Sequence, residues 1–177
     1  SVGQTVALAN GNYVVSSPGW NAGRGAATWG NGSTGISGSV SSGNSLVGEK
    51  AGDYVGVIGA LTNGNYVVRS PLWDNVGAAD AGAVTWGSGG SGVVGMVSSA
   101  NSLVGTTEGD GVGKHGVISL ANGNYVVASC DWDNVGAPSA GAASWGDGAV
   151  GLKGEVSAAN SLVGSTSGDF VCIVTAL

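Results

Sequence analysis

The sequence repeats itself three times, and this duplication restricts the possible folds more than any other feature. The hexapeptide NGNYVV stands at 10–15, 63–68 and 122–127, and a Trp follows seven residues after each Tyr. A second Trp follows in TWG or SWG, and the motif NSLVG begins fifteen residues after it. A repeat of this size cannot bury a hydrophobic face alone, so we expect neighbouring repeats to pack on one another.

The repeats differ in length at two places. The first is four residues shorter between its two Trp residues, and the second contains two additional residues near GKHG. The chain opens with SVGQTVAL, a fourth copy of the stretch that ends each repeat. We therefore predict one repeat domain over 1–177, made of an extra first strand and three repeats, at 1–9, 10–61, 62–120 and 121–177.

The residue pattern within each repeat is typical of short β-strands separated by tight turns. TVAL and NYVV flank an Asn-Gly turn, GAATWG and its copies form a third strand, and GISGSVS, GVVGMVS and GLKGEVS form a fourth. Gly interrupts every window of helical length, which disfavours helix. We predict an all-β protein of three tandem propeller-blade-like repeats of four antiparallel strands, with a β-solenoid as the alternative.

The motifs NSLVG, GD, NGNYVV and AGAVTWG, taken in this order, resemble the FG-GAP repeat of integrin-type β-propellers. The positions that carry the resemblance are the GD aspartates, two following glycines and two prolines: Asp53, Asp110, Asp169, Gly56, Gly113, Pro18 and Pro71. The chain is also similar to degenerate tandem repeats of very large haemagglutinin-like secreted bacterial proteins. FG-GAP loops often bind calcium through carboxylates, but LANGNY and LTNGNY contain none, so we expect no calcium site.

The low charge of the chain argues against several classes of partner. Charged residues make up 9% of the sequence, the net charge is −6, and the five basic residues are scattered. Binding to nucleic acid or to an acidic membrane surface needs converging Lys or Arg, so neither partner is expected. No apolar run approaches the roughly 20 residues of a membrane span. Abundant Gly, Ser, Thr and Asn, with Ser1 in place of Met, favour a processed chain or a fragment of a secreted or cell-surface protein.

Three blades are too few for a closed propeller, which usually has four to eight. Open sheet edges bind other strands, so we expect self-association or contact with neighbouring repeats. Two copies of the chain would close a six-bladed ring.

Both cysteines lie in the third repeat. Cys130 takes the place of Pro18 and Pro71, and Cys172 takes the place of Gly56 and Gly113. Because both positions change together, we predict a disulfide between Cys130 and Cys172 in an oxidising compartment. Two independent buried thiols are the alternative.

The residues that catalysis requires are scarce. His115, the single histidine, stands in the GKHG insertion without a marked nucleophile, and we interpret it as a solvated loop residue. Asp131 and Asp133 flank Trp132, but alternate residues of an extended segment point apart, which does not suit a glycosidase pair. Cys and His are too few for a closed zinc site. We therefore expect a non-enzymatic protein without a cofactor or a metal.

The best candidate for a ligand site is the loop that follows the second strand of each repeat. Its Trp, Asp and Asn are residue types with which lectins stack on sugar rings and bind hydroxyl groups. The candidate residues are Trp20, Asn21, Trp73, Asp74, Asn75, Trp132, Asp133 and Asn134. Alternatively, these Trp side chains fill gaps between repeats while Asp and Asn cap turns. The second set of Trp residues lies within strands and is assigned to packing: Trp29, Trp86 and Trp145.

These observations support three hypotheses on function. The first is a non-enzymatic structural or adhesive module of a secreted or surface protein. The second is a multivalent lectin that binds glycans through the three loops. The third is an excerpt of a longer propeller array without an activity of its own.

Overall fold

A computed structural model describes residues 3–172. The first repeat contains β1 (Thr5–Ala7), β2 (Tyr13–Ser16), the four-residue helical turn α1 (Trp20–Gly23), β3 (Ala26–Gly30) and β4 (Leu46–Val47). The second contains β5 (Val57–Ala60), β6 (Tyr66–Ser70), β7 (Ala83–Gly87), β8 (Gly95–Met96) and β9 (Ser102–Val104). The third contains β10 (Val117–Ser119), β11 (Tyr125–Ser129), β12 (Ala142–Gly146), β13 (Gly154–Glu155) and β14 (Leu162–Val163). The predicted strand copies at 1–8 and 170–177 extend beyond the described residues at their outer ends.

Each repeat builds one antiparallel sheet whose strands follow the chain order. The antiparallel strands of the three repeats are ordered β1–β2–β3–β4, β5–β6–β7–β9 and β10–β11–β12–β14, and each of the first two sheets gains a fifth, parallel strand from the next repeat. The prediction of an all-β protein with three repeats, each contributing four antiparallel strands, is therefore confirmed. β1 pairs with β2 through Val6 and Val14, so it serves as the first strand of the first sheet. As sheets, the repeats thus begin one strand earlier than the sequence bounds at 10, 62 and 121.

The assignment of the fourth strand is wrong. The strand that completes each sheet lies in NSLVG, as β4, β9 and β14. The segments GVVGMVS and GLKGEVS instead contribute β8 and β13, which pair in parallel with β4 and β9 of the preceding repeat. These two-residue strands therefore connect adjacent sheets rather than completing their own.

The Tyr of NGNYVV lies across the sheet from the Gly of TWG or SWG. Tyr66 pairs with Gly87, and a Cβ atom on Gly87 would collide with the Tyr66 ring. Tyr125 covers Gly146 in the same way. The ring thus occupies the space above a residue without a side chain, which explains why these two motifs occur together.

The Asn-Gly turn between the first two strands forms as predicted. Gly64, in the second repeat, has a φ of 86°, a left-handed conformation that favours glycine. The backbone N–H of Asn65 donates to Oδ1 of Asn63 at 3.0 Å, which closes an Asx turn. Leu61 N–H then donates to the Asn65 carbonyl at 2.8 Å and begins the hairpin ladder.

The hydrophobic core is divided into two clusters, and each lies between neighbouring sheets. The first cluster joins the first two repeats and includes Leu8, Val14, Leu46, Tyr66, Val68 and Val97. The second joins the last two repeats through the equivalent residues and includes Leu61, Val67, Leu103, Tyr125, Val127 and Val156. Each repeat is therefore stabilised chiefly by the face that it shares with its neighbour.

Among residues 3–172, no helix has the length and apolar character that crossing a membrane requires.

Candidate functional site

The Trp residues of the second and third candidate loops are buried. Trp73 and Trp132 are each 5% exposed, and they belong to the two inter-repeat core clusters. Their rings therefore fill the space between sheets, where they cannot stack on a ligand in solution. This agrees with the packing alternative for these two residues.

The Asn residues of these loops bind backbone groups. Asn75 Nδ2 donates to the carbonyl of Gly105 at 2.8 Å, and its Oδ1 accepts the N–H of Val76 at 2.8 Å. Asn134 makes the same two contacts with Gly164 and Val135. The loops are thereby tied to the NSLVG strand of their own repeat.

The Asp residues of the loops are partly occupied. Oδ1 of Asp74 accepts the N–H of Asp80 at 2.9 Å, and Oδ1 of Asp133 accepts the N–H of Ser139 at 2.7 Å. Lys50 Nζ lies 3.6 Å from Asp74 Oδ2. One carboxylate oxygen thus shapes the loop in the second repeat and in the third.

The first candidate loop differs from the other two. It is shorter and turns through left-handed backbone at Asn21 and Ala22, with φ values of 48° and 59°. Trp20 is half-buried and Asn21 is exposed. The structure therefore gives two equivalent loops and one distinct loop in place of three equal sites.

Two grooves adjoin the equivalent loops at the junctions between repeats. The larger groove, of about 530 Å³, is lined by Thr107, Trp132, Asp133, Val135 and Ser157, among others. Its counterpart, of about 230 Å³, is lined by the matching residues Lys50, Trp73, Asp74, Val76 and Ser98. Val76 and Val135 are fully exposed at the lips of these grooves.

The GD aspartates join neighbouring repeats. Oδ2 of Asp110 accepts the N–H groups of Thr106 and Thr107 at 2.9 and 2.8 Å, and Oδ1 accepts the N–H of Asp133 at 3.0 Å. Asp53 makes the equivalent contact with Asp74 N–H at 3.2 Å. Burial raises the pKa of the Asp110 carboxyl; the backbone donors oppose this effect and the nearby Asp133 charge adds to it.

The single histidine lies in a small charged cluster beside a disulfide. Lys114 Nζ contacts Asp131 Oδ2 at 2.7 Å, and His115 Nε2 lies 3.8 Å from Asp131 Oδ1. Nδ1 of His115 accepts the backbone N–H of Cys130 at 3.2 Å. The structure joins Cys130 and Cys172, the pair that the sequence predicted, with their Cα atoms 5.0 Å apart.

Residues 3–172 contain no group of three or more His, Cys, Asp or Glu side chains placed to hold a metal ion. Asp131 and Asp133 have separate partners, Lys114 for the first and Ser139 N–H for the second.

Sequence reasoning missed the residues that bind one repeat to the next. Nδ2 of Asn12 and Nε1 of Trp29 donate to the carbonyl of Gly89, at 2.8 and 2.9 Å. At the next junction, Nδ2 of Asn65 and Nε1 of Trp86 make the equivalent contacts with the carbonyl of Gly148, at 2.7 and 3.0 Å. The sequence does contain an indication of this contact. The second Asn of NGN is present in every repeat, although the turn itself needs only the first Asn.

The fold and these contacts define an all-β tandem-repeat protein in which each sheet is fastened to the next. The chain belongs to the family described as a repeat of unknown function (DUF5650), whose model matches residues 7–57, 60–114 and 119–173. No curated protein matches the chain.

Proposed function

We propose that the chain is a non-enzymatic structural or adhesive module of a secreted or cell-surface protein. The observation that supports this most directly is what the repeated polar side chains bind. Asn65 and Trp86 bind the backbone of the next repeat, and Asn75 binds its own. The residues that the repeats share therefore stabilise the array, whereas a catalytic set would need to face a substrate.

The proposed location outside the cell is supported by the disulfide and by the low charge. Disulfides persist in oxidising compartments, and one links Cys130 to Cys172. The test is to isolate the protein from its native source with alkylation and to analyse it by non-reducing mass spectrometry, alongside protease treatment of intact cells. We expect an intact disulfide and cleavage from outside; two alkylated thiols in a protected protein would contradict the proposal.

We also propose that the repeats are FG-GAP-like propeller blades whose partners are neighbouring repeats or further copies of the chain. Support comes from the four-stranded antiparallel sheets and from the face-to-face packing of successive sheets. Two copies closed into a ring would provide six blades, which lies within the usual range of about four to eight for propellers. Negative-stain images of the associated protein would show a ring for this arrangement and a rod for a solenoid-like one.

A second candidate function is multivalent glycan binding at the junction grooves. The observation that favours it is the presence of similar grooves at both junctions, each bordered by a loop carboxylate and an exposed Val. Glycan-array binding by the wild type, lost in Val135→Glu and retained in Val150→Glu, would support this function. Val150 is the matched control because it is also exposed but does not line the groove. No binding by the wild type would reject it.

A further inference from the structure

The two internal junctions use the same pair of faces. We call the face that a repeat presents to its successor the outgoing face, and the face that receives it the incoming face. The outgoing face of the second repeat includes Leu103 and Trp86, and the incoming face of the third includes Val127, Leu152 and Val156. The first junction is built from the equivalent residues, so one geometry serves both.

The outgoing face of the third repeat has the same residues but no cover among residues 3–172. Leu162 is 70% exposed, whereas its equivalents Leu46 and Leu103 are buried. Trp145 is 53% exposed, whereas Trp29 and Trp86 are half-buried. An apolar surface of this kind in a soluble protein marks an interaction site.

The polar groups of this outgoing face also lack their usual acceptor. Within the described chain, neither Nδ2 of Asn124 nor Nε1 of Trp145 takes part in a hydrogen bond of the kind that their equivalents make with Gly89 and Gly148. Among residues 3–172, the strand β14 pairs only with β12, whereas β4 and β9 each pair with a second strand from the next repeat. The apolar residues, the polar donors and the edge of β14 are thus all left incomplete at the outgoing face of the third repeat.

The incoming face of the first repeat carries the complementary features. A groove of about 160 Å³ is lined by Val15, Ile36, Gly38 and Val40, among others. The equivalents of these apolar residues in the second repeat pack in the cluster that also contains Leu46, and Ile36 itself is 41% exposed. Gly32 takes the sequence position of Gly89 and Gly148, and residues 38–39 take that of β8 and β13.

We propose that the outgoing face of the third repeat binds the incoming face of the first repeat of a second copy. This rests on the proposed function as a structural repeat module, and its basis is continuity with the two internal junctions. Leu162 enters the groove beside Ile36, and residues 38–39 of the second copy pair with β14. Asn124 and Trp145 donate to the carbonyl of Gly32.

The contact is head-to-tail, because the two faces are different surfaces. Such a contact closes into a ring when the rotation between copies allows it and otherwise grows into a filament. An isologous dimer, in which two outgoing faces meet, would bury Leu162 without involving Ile36. The two arrangements therefore differ in which substitutions disrupt them.

The test measures mass by sedimentation velocity and light scattering as the concentration rises. We expect the wild type to form dimers or larger assemblies, and Leu162→Lys and Ile36→Lys each to remain monomeric. Val76→Lys is the matched control, because Val76 is exposed but belongs to neither the outgoing nor the incoming face. This variant should associate like the wild type. Circular dichroism and thermal unfolding check that each variant folds.

A mixture of the two monomeric variants gives the decisive result. The Ile36→Lys copy retains an intact outgoing face and the Leu162→Lys copy an intact incoming face, so the mixture should form a 1:1 dimer that grows no further. A mixture that stays monomeric, or a wild type that is monomeric at every concentration, would overturn the proposal. Association of Ile36→Lys alone would also overturn it. The experiments on cellular location and on glycan binding do not depend on whether the chain associates. The head-to-tail contact and the proposed function as a secreted or surface module can therefore fail separately.

Discussion

At the scale of the residue, the second Asn of NGNYVV connects two repeats with one amide. In the second repeat, Oδ1 of Asn65 accepts the N–H of Gly89 at 2.8 Å, and Nδ2 donates to the carbonyl of Gly148. In the third repeat, Oδ1 of Asn124 accepts the N–H of Gly148 at 3.0 Å. Asn65 and Asn124 are thus the same residue type at equivalent positions, the first with a contact to the next repeat and the second without one among the described residues.

We predict that Asn65→Asp destabilises the protein by about 1–3 kcal/mol, because a carboxylate oxygen then faces the Gly148 carbonyl. Asn124→Asp is the control: it retains the Oδ1 acceptor and faces no such carbonyl in the monomer, so its free energy of unfolding should change little. Urea unfolding under dilute conditions measures both. Equal losses in the two variants would show that the inter-repeat hydrogen bond contributes nothing.

The buried phenol of Tyr66 makes the free energy of unfolding depend on pH in the alkaline range. Burial raises its pKa from 10.0 to about 12, although the N–H of Val93, which donates to the phenol oxygen at 3.2 Å, opposes the shift. The folded state therefore favours the neutral phenol, and the associated stability is present below pH 10 and lost as the pH rises toward 12. Two pKa units correspond to about 3 kcal/mol.

We predict that Tyr66→Phe reduces this alkaline loss of stability. The measurement is the urea midpoint between pH 9 and pH 12, compared with the wild type. The slope should fall without vanishing, because burial also raises the pKa of Tyr125. Identical slopes for the two proteins would contradict the assignment of the effect to Tyr66.

At the scale of the element, the sequence predicts what local chemistry specifies. The Asn-Gly turn and the apolar runs beside it identify the first three strands of each sheet, since turn geometry and strand pattern lie within a few residues. The fourth strand was misassigned because β8 and β13 contain only two residues, one of them Gly. Their pairing depends on the preceding repeat, and no local propensity encodes such a contact.

The candidate site shows the same division. The Trp residues at 73 and 132 were recognised as repeated, but a sequence does not reveal which face of a loop is covered by the next repeat. The prediction of a Cys130–Cys172 pair succeeded in naming the partners because two equivalent positions changed together. Repetition therefore reveals which residues matter, while packing determines what they do.

Each exit segment, the stretch that follows a GD aspartate, is tied back to the second strand of its own repeat or the turn after it. Ser16 Oγ donates to the Gly56 carbonyl, and Arg69 Nη1 donates to the Gly113 carbonyl at 3.0 Å. In the third repeat the side chain of Ala128 offers no donor, and the disulfide makes the side-chain connection instead. The cross-link closes a loop with a sequence separation of 42 residues.

We predict that the double substitution Cys130→Ser and Cys172→Ser lowers the free energy of unfolding by roughly 4 kcal/mol in the chain-entropy description. The matched variant, Cys130→Pro with Cys172→Gly, restores the residues of the second repeat and isolates the cross-link from the side chains. Urea unfolding measures the loss, and hydrogen exchange should locate it in the third repeat. A stability equal to that of the oxidised wild type would contradict this prediction.

At the scale of the whole molecule, stability resides in the contacts between repeats. Both core clusters lie between sheets, and each contains one fully buried Leu from the NSLVG strand, Leu46 or Leu103. In such an array the free energy of unfolding is close to a sum of the repeats and of the junctions between neighbours. Weakening one junction should therefore uncouple the repeat beyond it.

We predict that Leu103→Ala costs about 2–5 kcal/mol and makes the third repeat unfold before the other two. Leu46→Ala should cost a similar amount and uncouple the first repeat instead. Leu162→Ala is the internal control, because the same residue type at the same position is 70% exposed and its removal should cost about 0.5 kcal/mol or less in the monomer. Urea unfolding, followed by tryptophan fluorescence and by hydrogen exchange at each repeat, distinguishes these outcomes. If Leu162→Ala destabilised the dilute monomer as much as Leu103→Ala, the third repeat would be held by contacts within its own sheet, and the stacking of equivalent faces would not be the source of stability.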